Sequence, residues 1–169
     1  MKLLQKIRRL FSPKLRPPGP DATAGEKGRF GEDLAAQFCL EQLHYRIIAR
    51  NWRCGHDEID LICRDNKVLV FIEVRTRKAG ARIQGVQSVD RRKRRKLKRA
   101  CRNYLYRLRE PAPHFRFDII DIALSKKGVG KIRHFPNIQL FSKHFSAVSY
   151  THLRAHETGR NLVCRLLLE

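Results

Sequence analysis

The segment Val68-Leu69-Val70-Phe71-Ile72-Glu73-Val74-Arg75-Thr76 decides the fold. Five apolar residues from Val68 to Ile72, mostly β-branched or aromatic, read as part of a strand that runs to Thr76. Glu73 then interrupts the run. Side chains alternate along a strand, so Glu73 and Arg75 emerge on one face while Ile72 and Val74 point to the other. A carboxylate directly after five apolar residues is costly unless something pairs with it, which makes Glu73 a candidate for chemistry.

Working backwards, Glu58 to Cys63 reads as a second strand, and Asp65-Asn66 supplies turn chemistry before Val68, so the two pair as a hairpin or meander. In a hairpin Asp60 can lie across from Glu73. Two convergent carboxylates make a hard, oxygen-rich site suited to Mg²⁺, which polarises a scissile phosphate, with Arg75 stabilising the added negative charge. Arg75 is no general base, because a guanidinium does not deprotonate in proteins. Tyr45 to Trp52 is a further strand. Ahead of it, Thr23 with Glu26 three residues later has capping-box spacing and opens a helix. Phe30, Leu34, Ala35, Phe38 and Leu43 form that helix's buried face, and Glu32 lies near its start.

Working forwards, Val89, Leu97, Cys101, Leu105 and Leu108, with Ala100 and Tyr104, mark a second helix that Pro111 and Pro113 end. Its first part, RRKRRKLKR over residues 91–99, holds eight cations in nine positions: Arg91, Arg92, Lys93, Arg94, Arg95, Lys96, Lys98 and Arg99. Like charges at i,i+4 repel, so an anionic partner is expected, and a phosphate backbone fits. Tyr106 and Trp52 could stack bases, while Tyr104 lies on the apolar stripe and reads as core. Phe115 to Ala123 is another strand, and Ile132 to Phe135 offers a last edge strand. The order α-β-β-β-α-β-(β) predicts an α/β domain with a mixed central sheet flanked by helices.

The whole chain of 169 residues carries 37 Lys plus Arg against 16 Asp plus Glu, a net charge of +21. Such self-repulsion points to a polyanionic partner, DNA or another nucleic acid first. No apolar run approaches the ~18 residues of a spanning helix, so no integral membrane segment is expected. Five cysteines, odd in number and without a CxxC pair, argue against a disulfide framework or zinc knuckle and fit a reducing cytoplasm.

The ends read differently. Residues 1–11, MKLLQKIRRLF, have the spacing of a short basic amphipathic helix, and prolines make the stretch to Asp21 a stiff linker. This leader reads either as an arm making weak contact with an anionic membrane or phosphate, or as a solvated terminus. The domain spans residues 22–141. In the tail, 142–169, residues Val148 to Glu169 resemble a translated sequencing-library adapter and are set aside as an artefact, the alternative being a genuine basic tail. Without them the balance is 34 − 14 = +20, so the charge argument stands.

Gly31-Glu32, Asn51-Trp52-Arg53, Glu58 to Ile62 and Val70 to Arg77 together resemble the YraN-like family of the restriction-endonuclease-like superfamily, which is similar to archaeal Holliday-junction resolvases. The resemblance covers roughly Gly28 to Phe135. It implies a restriction-endonuclease-like fold, with Asp60 and Glu73 as ligands of Mg²⁺ or Mn²⁺, Glu32 completing the acidic site and Arg75 in the position of a lysine. Asp57 departs from it, standing where the family usually has Gly. Two functions follow as expectations. One is metal-dependent hydrolysis of phosphodiester bonds in DNA, branched or single-stranded. The other is a non-catalytic nucleic-acid-binding module on the same fold.

Overall fold

A computed structural model describes residues 15–19, 21–80, 90–125 and 128–141. The leader over 1–11, Val89 and the tail over 142–169 lie outside the described residues. The elements are α1 (Ala24–Glu41), β1 (Arg46–Cys54), β2 (Asp57–Asp65), β3 (Val68–Lys78), α2 (Arg91–Arg107), β4 (Phe115–Ser125) and β5 (Gly128–Phe135). Their order is the one expected. β1 to β4 each end two residues beyond the expected position, β1 begins one residue later and β2 one earlier, and β5 begins at Gly128 rather than Ile132. The second helix is corrected at both ends. Asp90 caps its start by accepting the Lys93 N–H at 2.7 Å, and Leu108 is an extended cap residue rather than a last helical one.

One sheet orders the strands β1-β2-β3-β4-β5, antiparallel except for the parallel pair β3 and β4, which α2 connects. The chain makes this sheet because β3 carries a continuous apolar run and β4 apolar residues on both of its sides, so both faces must be covered. The hairpin between β2 and β3 turns at Asn66, whose φ of 51° is a conformation asparagine tolerates. On one face α1 packs Ala35, Ala36 and Cys39 against Leu61, Cys63, Val70, Ile72, Ile120 and Ile122. On the other, Leu97, Ala100 and Cys101 of α2 pack against Ile59, Ile62, Phe71, Phe117 and Ile119. The face of α1 differs from the expected one: Gly31, Ala36 and Cys39 are buried, and the larger Leu34 and Phe38 sit at the margin.

At the start of α1 the capping box is formed. The Thr23 hydroxyl accepts the Glu26 N–H at 3.2 Å, and Glu26 accepts the Thr23 N–H at 2.7 Å. This cap, typically worth about 1 kcal/mol, fixes where the helix begins. Gly31 then allows close approach to β3. A Cβ at position 31 would fall 1.8 Å from Thr76 Oγ1. The cysteines Cys39, Cys54, Cys63 and Cys101 are free thiols, and among the described residues no helix is long and apolar enough to cross a membrane.

Candidate functional site

The site forms where β2 and β3 part. Their ladder runs from Asp65 opposite Val68 to Leu61 opposite Ile72 and stops there, while β2 stays paired with β1 as far as Asp57, and β3 with β4 as far as Lys78. Asp60 and Glu73 are the next residues along. A side chain takes over from the ladder: Asp60 Oδ2 accepts the Val74 N–H at 2.7 Å. The alternation of faces slips at the same point, because Ile59 and Leu61 belong to cores on opposite sides of the sheet. Across from Asp60 in β1, Asn51 has a φ of 49°, and Ala49 and Trp52 on either side of it both pack towards α2. A left-handed residue in a strand re-aims side chains, and here it does so beside Asp60.

Glu73 is 5% exposed and shares the α2 side of the sheet with Phe71. Its Oε1 pairs with Lys93 Nζ at 2.9 Å, and its Oε2 is buried without a hydrogen-bond partner among the described residues. Asp60 is pushed up to about 7, by burial first and by the neighbouring Glu73 second, with the Val74 N–H and Lys93 opposing. Two carboxylates that close to one another cannot both ionise freely. Asp60, Glu73 and Lys93 are therefore one electrostatic unit.

Glu32 stands at its margin. Burial raises its pKa, the Asn51 side chain opposes this through a hydrogen bond, and Glu58, Arg50 and Asp33 are the charges acting on it. Glu32 still adds a small raising effect on Asp60. Among the described residues no group of three His, Cys, Asp or Glu side chains is spaced to hold a metal ion. The close pair is thus Asp60 and Glu73, and Glu32 is its neighbour. Arg75 is half-buried on the Glu73 face, opposite Asp121 of β4 in register.

The basic helix divides into two sets. Lys93 is engaged by Glu73, Arg94 by the Gln139 carbonyl and Arg99 by Asp57, whereas Arg91, Arg92, Arg95 and Lys96 are exposed and Lys98 is half-buried. The Arg99 contact explains Asp57. This carboxylate, 4% exposed, takes Arg99 Nη2 at 2.7 Å on Oδ1 and Nε on Oδ2, a two-point clamp that ties the start of β2 to α2 and lowers the Asp57 pKa. Tyr104 is core, edge-on to Trp52 at 5.2 Å and to Phe71 at 5.7 Å, and Arg107 lies over the Trp52 ring at 5.7 Å.

Reading the sequence did not single out Asn51 as a site residue, nor the pairing of Lys93 with Glu73, nor the buried acids Asp118 and Asp121. For Asp121 and Asp118 a signal existed, since each is a carboxylate with apolar residues on either side of it in β4.

A sequence profile described as "Uncharacterised protein family UPF0102" matches residues 31–122. That span contains α1 from Gly31, the β2 and β3 carboxylates and the basic helix. A UPF0102 protein of Herpetosiphon aurantiacus is 40% identical over 117 residues, covering 67% of this chain and 93% of the relative. One of Chlorobium limicola is 42% identical over 108 residues, 64% of this chain and 83% of the relative, and one of Geobacter sulfurreducens is 40% identical over 107 residues, 63% and 83%.

Proposed function

We propose that this chain, which belongs to the UPF0102 family, is a nuclease-like protein that binds DNA and hydrolyses phosphodiester bonds with Mg²⁺ or Mn²⁺ on a restriction-endonuclease-like fold. The observation that carries this reading is the Asp60 and Glu73 pair. Among the described residues Glu73 keeps one buried oxygen without a hydrogen-bond partner, and the Asp60 carboxyl is pushed up to about 7, so that a cation there would compete with its proton. Hard carboxylate oxygens are the donors that Mg²⁺ and Mn²⁺ prefer, so the residues fit the ion.

A divalent cation held by these two oxygens would draw charge from a phosphoryl oxygen and favour attack by water. The chain's own residues do the rest. The Val74 N–H fixes the orientation of Asp60, Arg75 supplies a permanent positive charge on the Glu73 face for the charge that develops at phosphorus, and Glu32 with Asn51 borders the opening. The exposed Arg91, Arg92, Arg95 and Lys96 contact phosphates without reading bases.

The test is a panel of linear, single-stranded, forked and four-way DNA with Mg²⁺ and with Mn²⁺, run on the natural sequence and on Asp60→Ala and Glu73→Ala. Cation-dependent cleavage lost in both variants, with DNA binding intact, is the expected result. No cleavage of any substrate by the unchanged protein would favour the second reading, a binding module without hydrolysis. Two observations speak for that module: Lys93 already neutralises Glu73, and no third ligand stands at metal spacing among the described residues.

A further inference from the structure

Lys93 reaches Glu73 from outside. Its side chain is 42% exposed and that of Glu73 6%, yet Nζ and Oε1 are 2.9 Å apart. The position is not incidental, because the Lys93 N–H is held by the cap residue Asp90 and the side chain therefore starts from a fixed point in the first turn of α2. A buried carboxylate needs a counter-charge, and an ammonium group supplies one here without a metal. The same ammonium would repel a dication bound to Glu73 Oε2 and Asp60, since both charges would lie within a few ångströms in a partly desolvated place. A phosphodiester between them would reverse the sign of the interaction, as each cation would then face an anion.

We propose that Lys93 is a resident counter-cation that makes divalent-ion occupancy of Asp60 and Glu73 conditional on a bound phosphodiester. This rests on the metal reading of the site and adds its regulation. In this role Lys93 is a positioning residue. It offsets the charge of Glu73 while no substrate is present, and with substrate it stands beside the phosphate. Coupling of this kind is reciprocal: the factor by which the oligonucleotide tightens the cation is the factor by which the cation tightens the oligonucleotide.

The experiment measures Mn²⁺ binding to the full chain by calorimetry and electron paramagnetic resonance, with and without a short phosphorothioate oligonucleotide that resists hydrolysis. For the unchanged protein, Mn²⁺ should bind weakly alone and about tenfold or more tighter with the oligonucleotide, a factor worth about 1.4 kcal/mol. Lys93→Gln should bind Mn²⁺ alone about tenfold tighter than the unchanged protein and gain little from the oligonucleotide. Lys93→Arg, which keeps the charge, should behave as the unchanged protein does. Equal Mn²⁺ affinity in Lys93→Gln and the unchanged protein, or an arginine variant that behaves like the glutamine one, overturns the inference and leaves the metal site standing. Should Lys93→Gln fail to fold, the absence of any oligonucleotide effect on Mn²⁺ in the unchanged protein overturns it equally. Mn²⁺ binding that is undetectable even with the oligonucleotide, or that survives Asp60→Asn with Glu73→Gln, overturns the metal reading itself and this inference with it.

Discussion

Two buried acidic centres lie close together on opposite faces of β3 and β4 and are treated in opposite ways. In register, Glu73 of β3 is beside Ile119 of β4 and Ile72 is beside Asp118, so the two acids are nearly neighbours. Asp118, fully buried, has both oxygens satisfied: Oδ1 by Arg116 Nε at 3.1 Å and the Asn137 N–H at 2.9 Å, Oδ2 by His134 Nε2 at 2.9 Å. Arg116 in turn holds Asp65 at 2.9 Å and the Tyr45 hydroxyl, so β1's entry, β2, β4 and β5 meet in one network. Glu73 has one oxygen satisfied and one not, and Asp60 beside it resists ionisation. Complete pairing marks an acid that holds strands together, and incomplete pairing marks an acid kept available.

The largest effect that tests this contrast is on stability. Asp118→Ala removes the buried acceptor shared by Arg116, His134 and the Asn137 N–H and should cost about 3–5 kcal/mol, read as a large fall in Tm. Asp60→Asn, which removes a disfavoured charge and leaves an oxygen for the Val74 N–H, should keep or raise Tm at pH 8. An Asp118 variant as stable as the unchanged protein would break the comparison. Next comes activity: Asp60→Asn should lower Mn²⁺-dependent cleavage at least a hundredfold, about 2.7 kcal/mol in the barrier, with DNA affinity nearly unchanged. A cleavage rate that stays the same in that variant removes Asp60 from the chemistry.

A smaller effect is on pH dependence. The folded-state pKa of Asp60 is raised to about 7, so between its unfolded value near 3.8 and 7 the folded chain binds a proton that the unfolded chain lacks. Stability from this group is greatest at low pH and falls as pH rises through that window, by at most about 1.4 kcal/mol per pH unit. Asp57, lowered by Arg99, acts with the opposite sign and loses its contribution as pH falls. Melting curves from pH 4 to 8 should therefore show that Asp60→Asn flattens the decline between pH 4 and 7, and a profile parallel to that of the unchanged protein would count against the raised pKa. The smallest effect is from one phosphate contact. Arg95→Gln should lower the slope of log affinity against log salt by about 0.9 on duplex DNA, equally for unrelated sequences.

What was legible in the sequence was local. The five apolar residues before Glu73, the Thr23 and Glu26 spacing and the Asp65-Asn66 turn each carry their meaning within a few positions, and each is formed as read. The position of Asp60 beside Glu73 follows from the short hairpin. What escaped depends on how separate elements dock. Lys93 looks like the seven other cations of residues 91–99 until α2 settles over β1 and β2 and Lys93 alone of the eight pairs with Glu73. Asn51 gives no sign of its left-handed backbone, because asparagine is as common in ordinary loops. Arg116 and Asp118 stand two apart on one strand face, but His134 and Tyr45 join them only through β5 and through the chain entering β1.

The clearance at Gly31 has a consequence for how this protein can vary. With Thr76 Oγ1 only 1.8 Å from where a Cβ would stand, positions 31 and 76 occupy one shared space, although 45 residues separate them along the chain. Neither can be exchanged without regard to the other: alanine at 31 asks for glycine or alanine at 76, and a bulkier residue at 76 pushes α1 outward and carries Glu32 away from Asn51. Across related sequences the two positions should therefore change together or not at all, and a library that randomises both at once should recover small-with-large pairs and never large-with-large.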